Sequence, residues 1–331
     1  MKAALYVLRH DRGAALVTVL LLVAVMSVGA VASFENLGFT IKRTTAVKMH
    51  EQARQYALGG EVIARLAAEE MRRADAKFIA LTGGGQGRAI SYPIDGGMIE
   101  GVVEDTSNCF NVNSLVSGAE GRLAADAQGG ARYIRLLVAL GLPAFEAERL
   151  TATLTDWIDS DGRPGPMGAE DYDYAALSPA YRAANTKMVD LSELRLVKGY
   201  GPEIRTVVEK HLCVRPDTAS VVLNANTLKP SDAPLLVALV GTALDLEAAR
   251  RVIAERPAGG YSDNAGFWAE RAFAGMTLDQ TVRSRISVKP QAFDARISVK
   301  YYDARVELVS HLFLGEGGKA TVMAREFGVI Y

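Results

Sequence analysis

HDRGAALVTVLLLVAVMSVGAVASFEN, residues 10–36, is the stretch on which the reading of the whole chain turns. Basic residues lead to Arg12-Gly13, and no charged side chain then appears until Glu35. As a helix, the apolar run from Ala14 to Phe34 spans about 30 Å, the thickness of a bilayer hydrocarbon core. A secretory h-region is shorter, roughly 7–15 residues, and ends in a small-x-small cleavage site. The segment GAVAS imitates such a site, so a retained anchor and a signal cut near Ser33 both stand as readings. Lys2, Arg9 and Arg12 ahead of the run favour a cytoplasmic N-terminus, while Lys42, Arg43 and Lys48 follow on the other side.

The helical pattern continues past the apolar run. No proline occurs between Glu35 and Phe78. Ala53, Ala57, Val62, Leu66 and Met71 recur at helical spacing, which predicts an amphipathic second half with those residues on its packed face. Gly59-Gly60 weakens the helix locally and is expected to mark a bend. The helix should end before the breaker TGGGQGR, residues 82–88.

Strand signals follow. AISYPI and MIEGVVED alternate in polarity around Asp95-Gly96-Gly97, a hairpin signal. They return only at the far end, in RISVKYYDARVELVSHLFL and KATVMAREFGVIY, around a glycine-rich turn at 315–318. The sheet is therefore split in sequence by a mostly helical insert, an α+β arrangement. Within the insert, NVNSL at Asn111 is echoed by NANTL at Asn224. RLLVALGLPAFEAERL after the first is matched by PLLVALVGTALDLEAARRVI after the second. Two related helical modules are expected. The resulting division is a leader at 1–13, a transmembrane segment at 14–36, and helix with first strands at 37–108. Module one follows at 109–215 with its acidic loop, module two at 216–285, and the closing strands at 286–331.

Composition narrows the function classes. The chain has 331 residues with a formal net charge of -1, so no global positive field draws it to DNA or anionic lipid. The four histidines, His10, His50, His211 and His311, are scattered, and neither H-E-x-x-H nor CxxC occurs, which removes the local signatures of zinc hydrolases and thioredoxin-like enzymes. Nor is there a P-loop, a G-x-S-x-G or a dinucleotide fingerprint. Trp157, Phe267 and Trp268 read as core anchors.

Three features could carry chemistry. LSELRLVKGYGPEIRTVVEKHL, residues 191–212, resembles a helix-hairpin-helix element, whose turn amides contact nucleic-acid phosphate. Here Lys198 and Arg205 are flanked by Glu193, Glu203 and Glu209, whereas phosphate neutralisation needs a basic surplus. A helical packing module is the favoured reading. DWIDSDGRPGPMGAEDYDY, residues 156–174, gathers Asp156, Asp159, Asp161, Glu170, Asp171 and Asp173 on a kinked loop. Hard oxygen ligands so placed suit calcium, which takes about 6–8 of them. The spacing is not that of an EF-hand, and a solvated acidic loop is the alternative. Cys109 and Cys213 flank module one. Outside the cytoplasm they should form a disulfide worth on the order of 2–4 kcal/mol; inside it they would be buried thiols.

The leader DRG followed by AALVTVLLLVAVMSV is similar to type IV prepilin-like leaders. Taken with CFNVNSL, DWIDSDGRPGPMGAEDYDY, DLSELRLVKGYGPEI and VVLNANTL in order, the chain resembles the protein K family of type II secretion minor pseudopilins over essentially its whole length. The resemblance implies a SAM-like or helix-hairpin-helix-like insert on a pseudopilin body, and a structural role rather than an enzymatic one. It implies cleavage by a prepilin peptidase after Gly13 and methylation of Ala14, which stands where pseudopilins usually carry an aromatic residue. A single pass of the inner membrane is implied, with the N-terminus cytoplasmic and the bulk periplasmic. Expected partners are the minor pseudopilins I and J, the major pseudopilin, and secreted cargo or the outer-membrane secretin; no nucleic acid is expected. Calcium in the insert is implied, with Asp159, Asp161, Glu170 and Asp171 as ligands and Asp156 and Asp173 as further candidates.

Most pseudopilins carry Glu at the fifth mature position, to neutralise the N-terminal amine of the subunit above. Thr18 holds that position here and carries no charge, as befits a tip subunit with nothing above it. Two rival readings are a membrane-anchored receptor for DNA uptake and a membrane-anchored hydrolase using the acidic loop.

Overall fold

The computed structural model describes residues 7–73, 89–315 and 317–328. Leader residues 1–6, the glycine-rich breaker at 82–88 and Glu316 of the late turn lie outside the described residues. Helix α1 runs from Val7 to Arg73 without interruption, so the expected long helix is present. Its first half has no protein cover: Leu16, Val19, Leu20 and Phe34 all stand exposed. This half is long and apolar enough to cross a membrane, which fits a single-pass anchor.

The second half of α1 lies on a five-stranded sheet made of β1 (Ile90–Ile94), β2 (Gly97–Asp105), β3 (Ala292–Tyr301), β4 (Ala304–Leu314) and β5 (Ala320–Phe327). The strands lie in the order β1-β2-β3-β4-β5, antiparallel throughout. Alternate residues such as Phe293, Ala295, Ile297 and Val299 face the helix, as the period of two requires.

The packed face of the helix keeps Ala53, Ala57 and Met71 of the expected pattern but departs from it at Val62 and Leu66. Ala53, Ala57, Ala64 and Ala68 are buried, whereas Val62 and Leu66 are 50% and 61% exposed. Small side chains let the helix axis approach the sheet. At Gly60 an added Cβ would sit 3.0 Å from Ile297 Cγ2. Gly60 therefore marks a close approach to the sheet, a Cβ on Gly59 would meet nothing within 4 Å, and the helix runs through both without interruption.

One buried charge anchors this contact. Glu61, 3% exposed, faces the sheet among the alanines. It accepts from Arg325 Nε at 2.6 Å, from Arg325 Nη2 at 2.9 Å and from Ser310 Oγ at 2.7 Å. The paired guanidinium, as the strongest influence, holds the Glu61 carboxyl below its ordinary range.

β2 and β3 are neighbours in the sheet, yet the whole insert lies between them. Its two ends meet. Thr106 N donates to Ala292 O at 3.0 Å, and the buried Ser107 Oγ accepts from Gln291 N at 2.9 Å and Ala292 N at 3.2 Å. Arg72 Nη1 donates to Pro290 O at 2.9 Å, so the insert leaves the sheet beside the C-terminal end of α1, away from the apolar half.

The insert has its own core, built on Tyr133, Leu136, Leu150, Leu154 and Phe267 and separate from the helix–sheet core. Module one contains α2 (Ala127–Ala139), α3 (Ala144–Ile158), α4 (Asp171–Ala175) and α5 (Pro202–Val208). Module two contains α6 (Ala233–Val240), α7 (Leu246–Ala254) and α8 (Asn264–Trp268).

The repeated asparagines do the same work in both modules. Asn113 Nδ2 donates to Met188 O at 2.9 Å and Arg215 O at 2.7 Å, and its Oδ1 accepts from Met188 N at 2.8 Å. Asn226 Nδ2 donates to Tyr261 O at 3.0 Å and Val288 O at 3.1 Å, and its Oδ1 accepts from Tyr261 N at 2.8 Å. Each module also closes with a short parallel strand pair, Phe110–Asn111 on Leu212–Cys213 and Leu223–Asn224 on Ile286–Ser287. The modules differ in the segment between the helix pair and the clamped residue, 159–187 in the first and 255–260 in the second. The longer segment contains the acidic loop.

Candidate metal centre

The loop hangs between two fixed points. Asp156 and Ile158 lie in the last turn of α3, and Glu170 is the N-cap of α4. Between them the chain folds back so that one carboxylate oxygen each from Asp159, Asp161 and Glu170 comes within 4.8 Å of the others. Asp161 is exposed, and its Oδ1 accepts from Arg163 N at 2.9 Å. Asp159 and Glu170 are buried, at 7% and 3% exposure. Asp159 Oδ1 and both Glu170 carboxylate oxygens have no hydrogen-bond partner within the chain.

Burying carboxylates without donors is costly. The expense appears in their protonation: burial above all, then the neighbouring Asp161 and Asp156 charges, push Asp159 up to about 6. Burial, then Asp156 and Asp159, push Glu170 up to about 7. A hard cation would reverse both effects, and an all-oxygen donor set with one exposed side for water suits one. The residues present therefore fit a cation.

The other acidic residues of the loop are engaged elsewhere. Asp156 accepts from Gly165 N at 3.3 Å and 3.1 Å through its two oxygens. Asp171 Oδ1 accepts from Ala183 N at 3.0 Å, with Arg182 Nε 3.8 Å from its other oxygen. Asp173 Oδ1 accepts from Lys198 Nζ at 2.6 Å, and its Oδ2 accepts from Glu170 N at 3.3 Å.

The last pair also bears on the hairpin. Lys198 is held by Asp173, and Arg205 is paired with Glu209 at 3.3 Å. The Gly199 turn, at φ 95°, closes against Arg149 and Leu150, where a Cβ would sit 2.8 Å and 2.9 Å from side-chain atoms. The element packs inward on its own module, in keeping with its acidic flanks.

Cys109 and Cys213 form a disulfide, with Cα atoms 5.7 Å apart, at the base of module one. Gly13 and Ala14 lie within α1. The Thr18 hydroxyl donates to Ala15 O at 2.8 Å and Ala14 O at 3.2 Å, so its own helix satisfies it. Two structurally important sites escaped the sequence reading. Glu61 carried a signal, a lone acid among alanines at the packing spacing; its partner Arg325 carried none.

A bare apolar helix half that fits a single-pass anchor, a docked half and a sheet interrupted by an insert are the architecture of a pseudopilin-type subunit. Profiles of the family described as type II secretion system (T2SS), protein K match residues 108–217 and 223–289. The type II secretion system protein K of Pectobacterium carotovorum subsp. carotovorum is 33% identical over 324 residues, covering 96% of this chain and 97% of that one. That of Klebsiella pneumoniae is 33% identical over 324 residues, covering 97% and 98%. In fold, the chain is similar to one from the crystal structure of the GspK-GspI-GspJ complex of enterotoxigenic Escherichia coli, with a TM-score of 0.67 and 24% identity, covering 87% of this chain and 100% of that one. The chain belongs to the type II secretion system protein K family, minor pseudopilins that serve as structural components of secretion rather than as enzymes.

Proposed function

We propose that this subunit caps the tip of the type II pseudopilus, initiates its assembly there and supports protein export across the outer membrane. The observation that carries the reading is the position of the insert at the end of α1 remote from its apolar half. When a filament grows from the membrane, apolar helices exchange lipid for neighbouring helices. A bulky insert above the sheet leaves no room for a further subunit, which favours the terminal place. The uncharged Thr18 suits the same place. The proposed partners are the counterparts of GspI and GspJ, the proteins named with the E. coli relative, with the major pseudopilin below. Secreted cargo or the secretin is then met by the insert on the periplasmic side of the inner membrane.

Cleavage after Gly13 by a prepilin peptidase, with methylation of Ala14, belongs to this reading. Mass spectrometry of the mature chain should find methylated Ala14 at the N-terminus; an intact Met1, or an end near Ser33, would count heavily against it. The tip position is tested by excision. Because the ends of the insert meet, residues 108–290 can be replaced by a short glycine linker. The excised subunit should then appear along sheared pseudopili, where the intact one appears only at ends. Intact subunits distributed along the shaft would refute the tip role.

We further propose calcium as the cation, held by Asp159, Asp161 and Glu170. Calcium at a hundredfold its Kd should stabilise the insert by about 2.7 kcal/mol, or about 5–11 °C in Tm for a domain of this size. The sign with pH follows from the raised carboxyls. In chelator their cost is fully present above about 7 and is relieved as pH falls toward the unfolded values. The calcium shift should thus shrink between pH 7 and 5. Equal Tm in chelator and millimolar calcium at pH 7.5 would remove the ion from the account.

A further inference from the structure

Asp156 differs from its acidic neighbours in one respect: the loop is wrapped around its side chain. It is 4% exposed and fixed on the last turn of α3. Both of its oxygens accept from Gly165 N, at 3.3 Å and 3.1 Å. Gly168 lies so close that an added Cβ would stand 1.8 Å from Asp156 Oδ2. The constraint is local, since a Cβ on Gly162 in the same loop would meet nothing within 4 Å. Asp159, by contrast, leaves a buried oxygen without a donor, and Glu170 leaves two.

We propose that Asp156 is the positioning residue of the cation site, its carboxylate gathering the backbone of residues 165–169 so that Glu170 is delivered opposite Asp159, and that Gly168 is required for that contact. The inference rests on the cation reading of the Asp159, Asp161 and Glu170 cluster and assigns a separate task within it. Gly165 N already bridges both oxygens of Asp156, and the group of oxygens brought within 4.8 Å of one another is that of Asp159, Asp161 and Glu170. The loop polypeptide is its ligand, and the ion is left to the residues without donors. Module two, whose corresponding segment is only 255–260, has no such loop to organise.

The test uses the full chain in detergent and terbium as the probe, its luminescence excited through Trp157, which adjoins Asp156 in sequence. Asp156→Asn is expected to weaken terbium binding at least tenfold while leaving the number of coordinated waters at saturation unchanged, as read from luminescence lifetimes in H2O and D2O. Gly168→Ala, which keeps every carboxylate, should weaken binding to a similar degree. In chelator, hydrogen exchange at the Gly165 amide should be slow in the parent chain and fast in Asp156→Asn, with the Tm of the helix–sheet unit unmoved.

One or two additional waters in Asp156→Asn would make it a ligand and overturn the assignment. Unchanged affinity in both variants would make it a bystander. If the parent chain itself gives no sensitised signal and no calcium-dependent Tm shift, the cation reading fails. The exchange measurement still tests the loop contact in that case, and unchanged amide protection in Asp156→Asn would overturn that too.

Discussion

Arg325→Ala is expected to cost about 3 kcal/mol, more than the loss of its deeper partner, because it strands a buried charge. Glu61 is 3% exposed, while the Arg325 side chain is 44% exposed. Remove the arginine, and the Glu61 carboxylate keeps only Ser310 Oγ. Remove the glutamate instead, and the guanidinium can turn to water. The main loss is then an acceptor for the buried Ser310 hydroxyl, about 1–2 kcal/mol.

The pH dependence separates the variants further. In the parent chain the Glu61 pKa lies below its ordinary 4.5, so its contribution is present above that value and is lost as pH falls through the folded one. Without Arg325, burial should raise the same carboxyl. The penalty then applies above the raised value and is relieved on acidification. The stability gap between parent and Arg325→Ala should accordingly narrow from pH 7 to 5, as measured by denaturant titration followed by circular dichroism. A constant gap, or a larger loss for Glu61→Ala, would contradict this account of the anchor.

The second large effect concerns the disulfide. Cys109 and Cys213 are 104 residues apart, so the bond closes a long loop in the unfolded chain. Loop-closure entropy for that length is worth about 4–5 kcal/mol. The bond sits beside the parallel pair Phe110–Asn111 and Leu212–Cys213, the base on which module one stands. Cys109→Ser/Cys213→Ser should lower the urea midpoint of the insert's tryptophan-fluorescence transition, with a loss near that figure. Adding reductant to the parent chain should reproduce it. A loss under about 1 kcal/mol would mean that the asparagine clamps already confine the unfolded loop.

How far these features can be read from sequence depends on range. The anchor helix is legible because an uncharged run of bilayer length is a one-dimensional signal. The paired asparagine clamps are legible because NVNSL and NANTL repeat the side chains that make them. The packing face of α1 is legible only in part. A hydrophobicity rule selects Val62 and Leu66, but close approach to Ile297 selects Ala57, Gly60 and Ala64. The acidic loop is visible as composition, while its division of labour depends on which oxygens meet backbone N–H groups. The pairing of Glu61 with Arg325 crosses the whole insert and leaves no local trace.

The meeting of Thr106 with Ala292 also bears on the order in which the chain becomes native. Before the insert folds, β2 and β3 are separated by a very long loop, and their pairing carries the closure entropy of that length. Each halving of the effective loop recovers about 0.6 kcal/mol, so an insert that folds first and brings its ends together returns about 3 kcal/mol. It also converts a distant strand pair into a neighbouring one, lowering the effective contact order of the sheet. The insert has a core separate from that of the helix–sheet unit, and a disulfide between residues 104 apart closes its first module, both of which favour its folding first. The helix–sheet unit then completes around it, and its edge strand β5, which follows the insert in the chain, locks Arg325 onto a helix that precedes it.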